Sequence, residues 1–284
     1  MRKTRIIVLI TAFIISLSSW LVAGQLIAPV LGKVDIPETS LAVESVRIKS
    51  KSGSTLAAWH ISAKTSKGVV ALFHGIRSSR VTMFERAKML YAHGYSVVMI
   101  DFQAHGESPG EHITIGYLEK HDVLATIDFA KKQHPNQAIG VIGVSLGGAS
   151  TLLASPQNID ALVIESVYPD IQTAVHNRVK ARLGFLSWAP AKILLAQLKP
   201  RLGFSISELS PINKLSALDC PIFVISGKAD EHTTASDTKL IFERAKEPKQ
   251  LWLVEGVAHQ DIYDVRSVLY KEKVLAFLDR HMSQ

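Results

Sequence analysis

Short apolar runs alternate with helical patterns along most of this chain, and this order constrains the fold more than any other feature of the sequence. Residues 69–73 are apolar at every position, which is typical of a strand buried on both faces of a sheet. The predicted strands that follow are residues 96–100, 138–144, 161–164, 222–226 and 250–254, and helical patterns lie between them. The alternation predicts an α/β fold in which helices flank a mostly parallel sheet.

The size of the chain predicts one main domain. Its 284 residues lie at the upper end of what a single domain usually holds. The one cysteine, Cys220, excludes an internal disulfide. We expect the main domain to cover residues 34–284 and a separate N-terminal segment to cover residues 1–33.

The N-terminal segment has the composition of a membrane-targeting sequence. Arg2, Lys3 and Arg5 precede an apolar stretch over residues 6–24. A helix rises about 1.5 Å per residue, so a helix of this length nearly crosses a hydrocarbon core of about 30 Å. We favour an uncleaved signal-anchor; a cleaved signal peptide and a helix buried in the soluble core are the alternatives. Because the positive flank stays in the cytoplasm, we expect an extracytoplasmic domain, periplasmic or at the cell surface, that is membrane-anchored or else secreted.

A candidate nucleophile lies where a predicted buried strand turns directly into a helix, in the sequence Gly143-Val144-Ser145-Leu146-Gly147-Gly148. Glycines on both sides of Ser145 leave room for the sharp turn that exposes a reactive hydroxyl. The backbone N–H of Leu146 begins the predicted helix, where it can stabilise an oxyanion. A glycine-rich turn with a surface serine gives the same pattern, but the position between strand and helix favours the nucleophile.

A serine needs a base and an orienting acid, and the sequence offers both. Asp230 and His259 each follow a predicted strand, in the chain order serine, acid, histidine. Open α/β sheets bind ligands at the carboxyl ends of their strands, so we expect these two side chains near Ser145. Glu231 is a rival acid, and Asp261 is a weaker one because it follows the histidine that it would orient.

A second oxyanion donor is predicted after residues 69–73, in His74-Gly75-Ile76. Gly75 lets the backbone turn so that the N–H of Ile76 faces the other side of the oxyanion. We expect His74 to be a structural hydrogen-bonding residue.

Five segments resemble the α/β-hydrolases of the serine aminopeptidase and Bem46-like group. They are Phe73-His74-Gly75, Asp101-Phe102-Gln103-Ala104-His105-Gly106-Glu107-Ser108, Gly143-Val144-Ser145-Leu146-Gly147-Gly148, Gly227-Lys228-Ala229-Asp230 and Gly256-Val257-Ala258-His259. The resemblance runs from about Val43 to the C-terminus. The group usually has Arg-Gly where this chain has Gln103-Ala104, and Val-Pro where residues 231–234 read Glu-His-Thr-Thr.

The resemblance implies a fold and a set of roles. The fold is that of the α/β-hydrolases. Ser145, Asp230 and His259 match the catalytic triad of the group. Ile76 and Leu146 match its oxyanion-hole positions.

The connection between residues 164 and 222 is far longer than usual for such a sheet. In hydrolases like those that this chain resembles, such an insertion forms a lid, and we expect a helical lid over residues 166–212. From 171 to 207 it carries six basic residues and no acidic one, among many apolar ones. An apolar lid favours an acyl chain, and a basic one favours an anionic membrane surface. The alternative is a solvated basic face on a packed lid.

These features predict a serine hydrolase that cleaves carboxylic esters, with apolar acyl groups, through an acyl-enzyme intermediate. A serine peptidase or aminopeptidase, or a thioesterase, would use the same side chains. A non-catalytic, membrane-attached binding module is the alternative from another class. The sequence has no metal-binding cluster, dinucleotide fingerprint or phosphate loop, so it implies no cofactor and no metal. Because no nucleic-acid-binding motif accompanies the basic residues, the predicted partners are a small-molecule or lipid-like ester and a membrane.

Overall fold

An eight-stranded sheet forms the centre of the computed structural model, which describes residues 16–282. The strands are β1 Val30–Leu31, β2 Glu44–Lys49, β3 Thr55–Ile61, β4 Val69–Phe73, β5 Ser96–Ile100, β6 His105–Gly106, β7 Ile139–Val144, β8 Ala161–Glu165, β9 Ile222–Gly227 and β10 Lys249–Val254. The helices are α1 over residues 16–27, α2 Phe84–Ala92, α3 Glu119–Gln133, α4 Leu146–Leu153, α5 Ile171–Leu183, α6 Trp188–Ala196, α7 Leu198–Leu202, α8 Ala235–Arg244 and α9 Ile262–Met282.

The order of strands in the sheet is β10-β9-β8-β7-β4-β5-β3-β2. The six strands from β10 to β5 are parallel, and β3 and β2 continue the sheet as antiparallel neighbours. The two short strands β1 and β6 pair separately. The predicted α/β fold, with a mostly parallel sheet flanked by helices, is confirmed.

Strand β4 shows why its apolar run is continuous. Val69, Ala71 and Phe73 pack into one core cluster together with residues of α3 and α4. Val70 and Leu72 pack into a second cluster, which contains residues of α2 and α9. Side chains alternate between the two faces of a strand, so a strand covered on both sides needs an apolar residue at every position.

Helix α1 corrects the predicted location of the protein. The carbonyl of Ile27 accepts a hydrogen bond from the N–H of Ile113 at 2.8 Å, and Ala23 and Ile27 are buried against the domain. Within residues 16–282, no helix combines the length and the apolar character that crossing a bilayer requires. This finding overturns the predicted membrane anchor and, with it, the extracytoplasmic location. Residues 1–15, which hold most of the predicted apolar stretch, lie outside the described residues.

The connection from β8 to β9 is helical and contains α5, α6 and α7. The side-chain amide of Asn177 on α5 donates a hydrogen bond to the carbonyl of His232, which follows β9. On the other side of the insertion, Gln197 donates to the hydroxyl of Ser19 on α1 at 2.7 Å. The insertion therefore lies between the loop after β9 and helix α1.

Candidate active site

A strained turn joins β7 to α4 at Ser145. Its backbone has φ 49° and ψ −107°, a conformation that residues with a side chain rarely adopt. A Cβ atom on Gly147 would lie 2.3 Å from the carbonyl oxygen of Phe73, and one on Gly143 would lie 2.5 Å from the nitrogen of Gly148. The strand and helix can approach this closely only because glycine occupies both positions, which explains the glycines in the motif.

An aspartate and a histidine form a hydrogen-bonded pair beside this turn. The Nδ1 atom of His259 lies 2.7 Å from Oδ2 of Asp230, whose side chain is fully buried. Asp230 also accepts hydrogen bonds from the backbone N–H groups of His232 and Thr233 and from the Thr233 hydroxyl. Burial raises the pKa of Asp230, but the hydrogen bonds from His259 and Thr233 outweigh burial and hold the pKa below its usual value. An ionised Asp230 keeps the proton of His259 on Nδ1 and leaves Nε2 free to act as a base.

Ser145 and His259 line one cavity of about 250 Å³, to which residues from three other segments also contribute. Its lining consists of Gly75, Ile76, Ser78, Thr82, Met83, Val144, Ser145, Glu165, Ser166, His259, Gln260 and Asp261. Among the described residues, no hydrogen bond joins the Ser145 hydroxyl to His259. Catalytic hydrogen bonds are often long in ligand-free enzymes, so this geometry is compatible with general-base chemistry.

The two predicted oxyanion donors have their N–H groups available. Neither Ile76 nor Leu146 donates its backbone N–H to another group of residues 16–282. The next N–H along the chain, that of Arg77, donates instead to Nε2 of His105 at 3.0 Å. A Cβ on Gly75 would lie 3.8 Å from the Cβ of Ser145, so the loop of Ile76 passes close to the candidate nucleophile.

His74 is fully engaged in the fold. Its Nε2 accepts a hydrogen bond from the N–H of Phe102 at 3.1 Å, and its Nδ1 donates to the carbonyl of Gly75 at 2.7 Å. Burial lowers the pKa of His74 to about 3, so the ring is neutral at physiological pH. A neutral ring with both nitrogens in use fits the structural role that we expected.

The rival acids do not contact His259. Asp261 receives two hydrogen bonds from the guanidinium of Arg86, at 2.8 and 2.9 Å. Glu231 is exposed to solvent. Of the three carboxylates considered, Asp230 alone is hydrogen-bonded to the histidine.

Gln103, at the position where the group usually has arginine, holds the loop after β5. Its side-chain amide donates to Oε1 of the buried Glu119 at 2.6 Å and to the carbonyl of His112 at 2.8 Å. The amide of Gln103 is thus hydrogen-bonded to a buried carboxylate. The presence of glutamine instead of arginine at this position does not alter the contacts of the candidate triad.

Sequence reasoning missed several polar and charged residues beside the cavity. Arg86, Glu165 and Tyr270 form a buried cluster that reaches the loop of His259. The ring of His232 lies 4.8 Å from that of His259. One signal was present, because Glu165 follows directly on a buried apolar run. Within residues 16–282, no group of three or more histidine, cysteine, aspartate or glutamate side chains forms a metal site.

Comparisons with known proteins agree with the fold. The model of the family described as serine aminopeptidase, S33, matches residues 64–211. Human monoglyceride lipase is 24% identical over 249 residues, which cover 73% of this chain and 81% of the lipase. The uncharacterized protein YqkD of Bacillus subtilis is 24% identical over 237 residues, or 82% of this chain and 78% of that protein.

Among solved structures, the esterase Pf2001 of Pyrococcus furiosus matches with a TM-score of 0.73 at 26% identity, over 89% of this chain and 99% of the esterase. The Pyrococcus horikoshii acylaminoacyl peptidase matches with a TM-score of 0.64 at 16% identity, over 87% of this chain and 43% of that chain, and it shows the fold alone. The family match covers more than half of the sequence. This chain therefore belongs to the serine aminopeptidase S33 family and is a hydrolase with the α/β-hydrolase fold.

Proposed function

We propose that this hydrolase cleaves carboxylic esters with apolar acyl groups, using Ser145 as nucleophile, His259 as general base and Asp230 as the orienting acid. One observation carries the proposal: His259 is hydrogen-bonded through Nδ1 to the buried Asp230, and it lines the same cavity as Ser145 on its strained turn. A polarised histidine beside a serine that lines the same cavity is the arrangement that activates a hydroxyl.

The reaction would proceed in two halves. Nε2 of His259 takes the proton of Ser145 while the serine oxygen bonds to the ester carbonyl carbon. The N–H groups of Ile76 and Leu146 donate to the resulting oxyanion. The intermediate collapses, and the alcohol leaves with the proton from His259. Water then attacks the acyl carbon and gives a proton to His259, which returns it to the departing oxygen of Ser145.

The charges in the cavity favour an ester over a peptide with a free amino terminus. An aminopeptidase needs a carboxylate that is free to pair with the substrate ammonium group. Two carboxylates besides Asp230 belong to this site, Glu165 and Asp261, and both already pair with Arg86. The printed names of two relatives, an esterase and a monoglyceride lipase, point the same way. Thioester cleavage uses the same side chains and stays an alternative.

We also propose that residues 166–212 act as a lid within a domain that covers residues 34–284. Helix α5 of this insertion contacts the loop of Asp230 through Asn177, next to the candidate base. Several apolar side chains of the insertion are exposed, with Phe185 exposed by 93%. A lid of this composition suits an apolar acyl chain.

A substrate panel tests the proposed reaction. We expect 4-nitrophenyl esters of acyl chains with four to eight carbons (roughly the length that a cavity of this size holds) to be hydrolysed. Aminoacyl 4-nitroanilides should react at least about 100-fold more slowly by kcat/KM, because the two carboxylates that line the cavity already pair with Arg86 and do not receive the ammonium group. Thioesters of the same acyl chains form the third arm. If the aminoacyl amides are hydrolysed faster than the esters, the protein is an aminopeptidase and the proposed esterase activity is wrong.

Binding of the basic insertion to an anionic lipid surface stays a prediction. It is supported by Trp188, which is 63% exposed, lies near Phe185 in sequence and carries the ammonium group of Lys192 at 4.0 Å from its ring centre. In flotation with phosphatidylserine vesicles, Phe185→Ser should weaken binding of the full chain by several-fold. Val268→Ser, which changes a residue 78% exposed on α9, is the matched control. Binding that ignores both Phe185 and the anionic lipid content would contradict the prediction.

A further inference from the structure

A buried arginine lies directly behind the cavity. The Arg86 side chain is 1% exposed and projects from α2. Its guanidinium carbon lies 5.3 Å from the ring centre of Tyr263 and 5.1 Å from that of Tyr270, so two aromatic faces of α9 hold it. A guanidinium placed in this way has little freedom to move.

Arg86 binds two carboxylates with both arms of its guanidinium. Glu165 accepts hydrogen bonds at 3.2 and 2.8 Å, and Asp261 accepts them at 2.9 and 2.8 Å. Tyr270 donates its hydroxyl proton to Glu165 and accepts from Nε of Arg86 at 3.1 Å. Two bidentate pairs on one planar cation fix the relative position of the two carboxylates.

The two carboxylates belong to the two halves of the catalytic apparatus. The carbonyl of Glu165 accepts the backbone N–H of Ser145 at 2.7 Å, so Glu165 sits beside the strained turn. Asp261 follows His259 by two residues and accepts the N–H of Tyr263 at 2.9 Å at the start of α9. One side chain therefore connects the nucleophile turn to the base loop.

We propose that Arg86 is a positioning residue that holds the loop of His259 against the strand beside Ser145 and offsets part of the negative charge of the two carboxylates that line the cavity. This inference rests on the proposed serine-hydrolase function. Nothing in the proposed reaction requires Arg86 to touch the substrate. Its effect reaches the reaction through the position of the base and through the charge around it.

The charges around His259 distinguish this role from a purely structural one. A change in these charges shifts the pH dependence of the reaction, whereas a loss of packing alone does not. The charged or titratable groups that face the base or Arg86 are Asp230, His232, Arg178, Glu165, Asp261, Asp264, Tyr263 and Tyr270. Loss of the Arg86 cation leaves two carboxylates uncompensated, and negative charge favours a protonated imidazole. Loss of the Asp261 charge removes a negative charge and therefore favours the neutral imidazole.

The test is the second-order rate of labelling of the full chain by a fluorophosphonate probe, measured against pH. This rate reports on activation of Ser145 and does not depend on the identity of the substrate. Arg86→Met should slow labelling at least about tenfold and move the midpoint of the acidic limb upward by about half a pH unit. Asp261→Asn should also slow labelling, about threefold or more, and move the midpoint downward by a similar amount.

Asp261→Asn carries the test if Arg86→Met folds poorly. The Asp261 side chain is 29% exposed, and asparagine can still cap the start of α9. Arg80→Met is the matched control, because Arg80 is also buried and also binds two carboxylates, Asp101 and Glu107, which do not line the cavity. It should lower Tm without moving the midpoint.

The outcomes separate the two claims. Midpoint shifts of opposite sign in the Arg86 and Asp261 variants support the positioning role. If the wild-type chain is labelled and both variants follow its pH profile, the Arg86 inference is overturned while the proposed function stands. If the wild-type chain is not labelled at all, the proposed function fails and this inference fails with it.

Discussion

Replacing Ser145 with alanine is expected to abolish covalent labelling by a fluorophosphonate probe and to lower kcat for ester hydrolysis by at least about 10⁴-fold. The alanine variant has no oxygen to form the acyl-enzyme, so only binding and the oxyanion donors remain. Gel fluorescence of the labelled chain and ester turnover measure the two effects. A chain that is still labelled after the substitution would place the nucleophile elsewhere, and a wild-type chain that is never labelled would favour a non-catalytic binding module.

Ser150 provides the control for this experiment. It lies on the same helix, α4, and its buried hydroxyl has no hydrogen-bond partner among the described residues. Ser150→Ala should keep both labelling and turnover, because it removes a hydroxyl remote from the proposed chemistry. It should not destabilise the fold, since a buried hydroxyl without a partner contributes no hydrogen bond to stability.

Replacing Asp230 with asparagine is expected to lower kcat by about 10³- to 10⁴-fold at neutral pH. An asparagine that donates its amide to His259 would favour the tautomer with the proton on Nε2, and that nitrogen could no longer accept the proton of Ser145. The measurement is kcat against pH for the wild-type chain and the variant. Glu231→Gln changes the exposed neighbouring carboxylate and should retain turnover. Equal losses in the two variants would contradict the assignment of the orienting acid.

A comparison of the wild-type chain with Asp230→Asn also tests the charge state of Asp230. Its pKa in the folded chain lies below the usual value, so ionised Asp230 stabilises the fold at pH values above its unfolded pKa of about 3.9. That contribution is lost as the pH falls through the lower, folded pKa. The difference in Tm between the wild-type chain and Asp230→Asn should therefore shrink on acidification below about pH 4. A difference that grows instead would reverse the sign of the pKa shift.

The parts of this molecule that the sequence predicts are those in which local pattern and burial agree. Residues 69–73 predict a buried strand because both faces of β4 are covered. The turn at Ser145 is predicted because the close approach of Gly147 to the strand excludes any other residue. Strand ends that meet at one edge of the sheet bring Asp230 and His259 together across 29 residues.

The Arg86 cluster and helix α1 show where such patterns fail. Arg86 reads as a surface residue on a helix, and the partners that bury it lie 79 and 175 residues away in the sequence. No local pattern records such a pairing. For α1, the apolar composition over residues 6–24 predicts a contact with lipid, yet Ala23 is buried on the protein itself. Composition indicates that a surface is apolar, but it does not indicate whether lipid or protein covers that surface.

The contacts of helix α1 bear on the choice of the N-terminal boundary for recombinant expression. The guanidinium of Arg201 lies 3.6 Å from the ring centre of Trp20, and the side chain of Gln197 donates a hydrogen bond to Ser19. Helix α1 therefore packs against the part of the insertion that contains residues 197–201. A truncated polypeptide starting at residue 34 would lose these contacts and also β1, the strand that pairs with β6. Recombinant versions that keep residues 16–33 would preserve the native contacts of the helical insertion with α1.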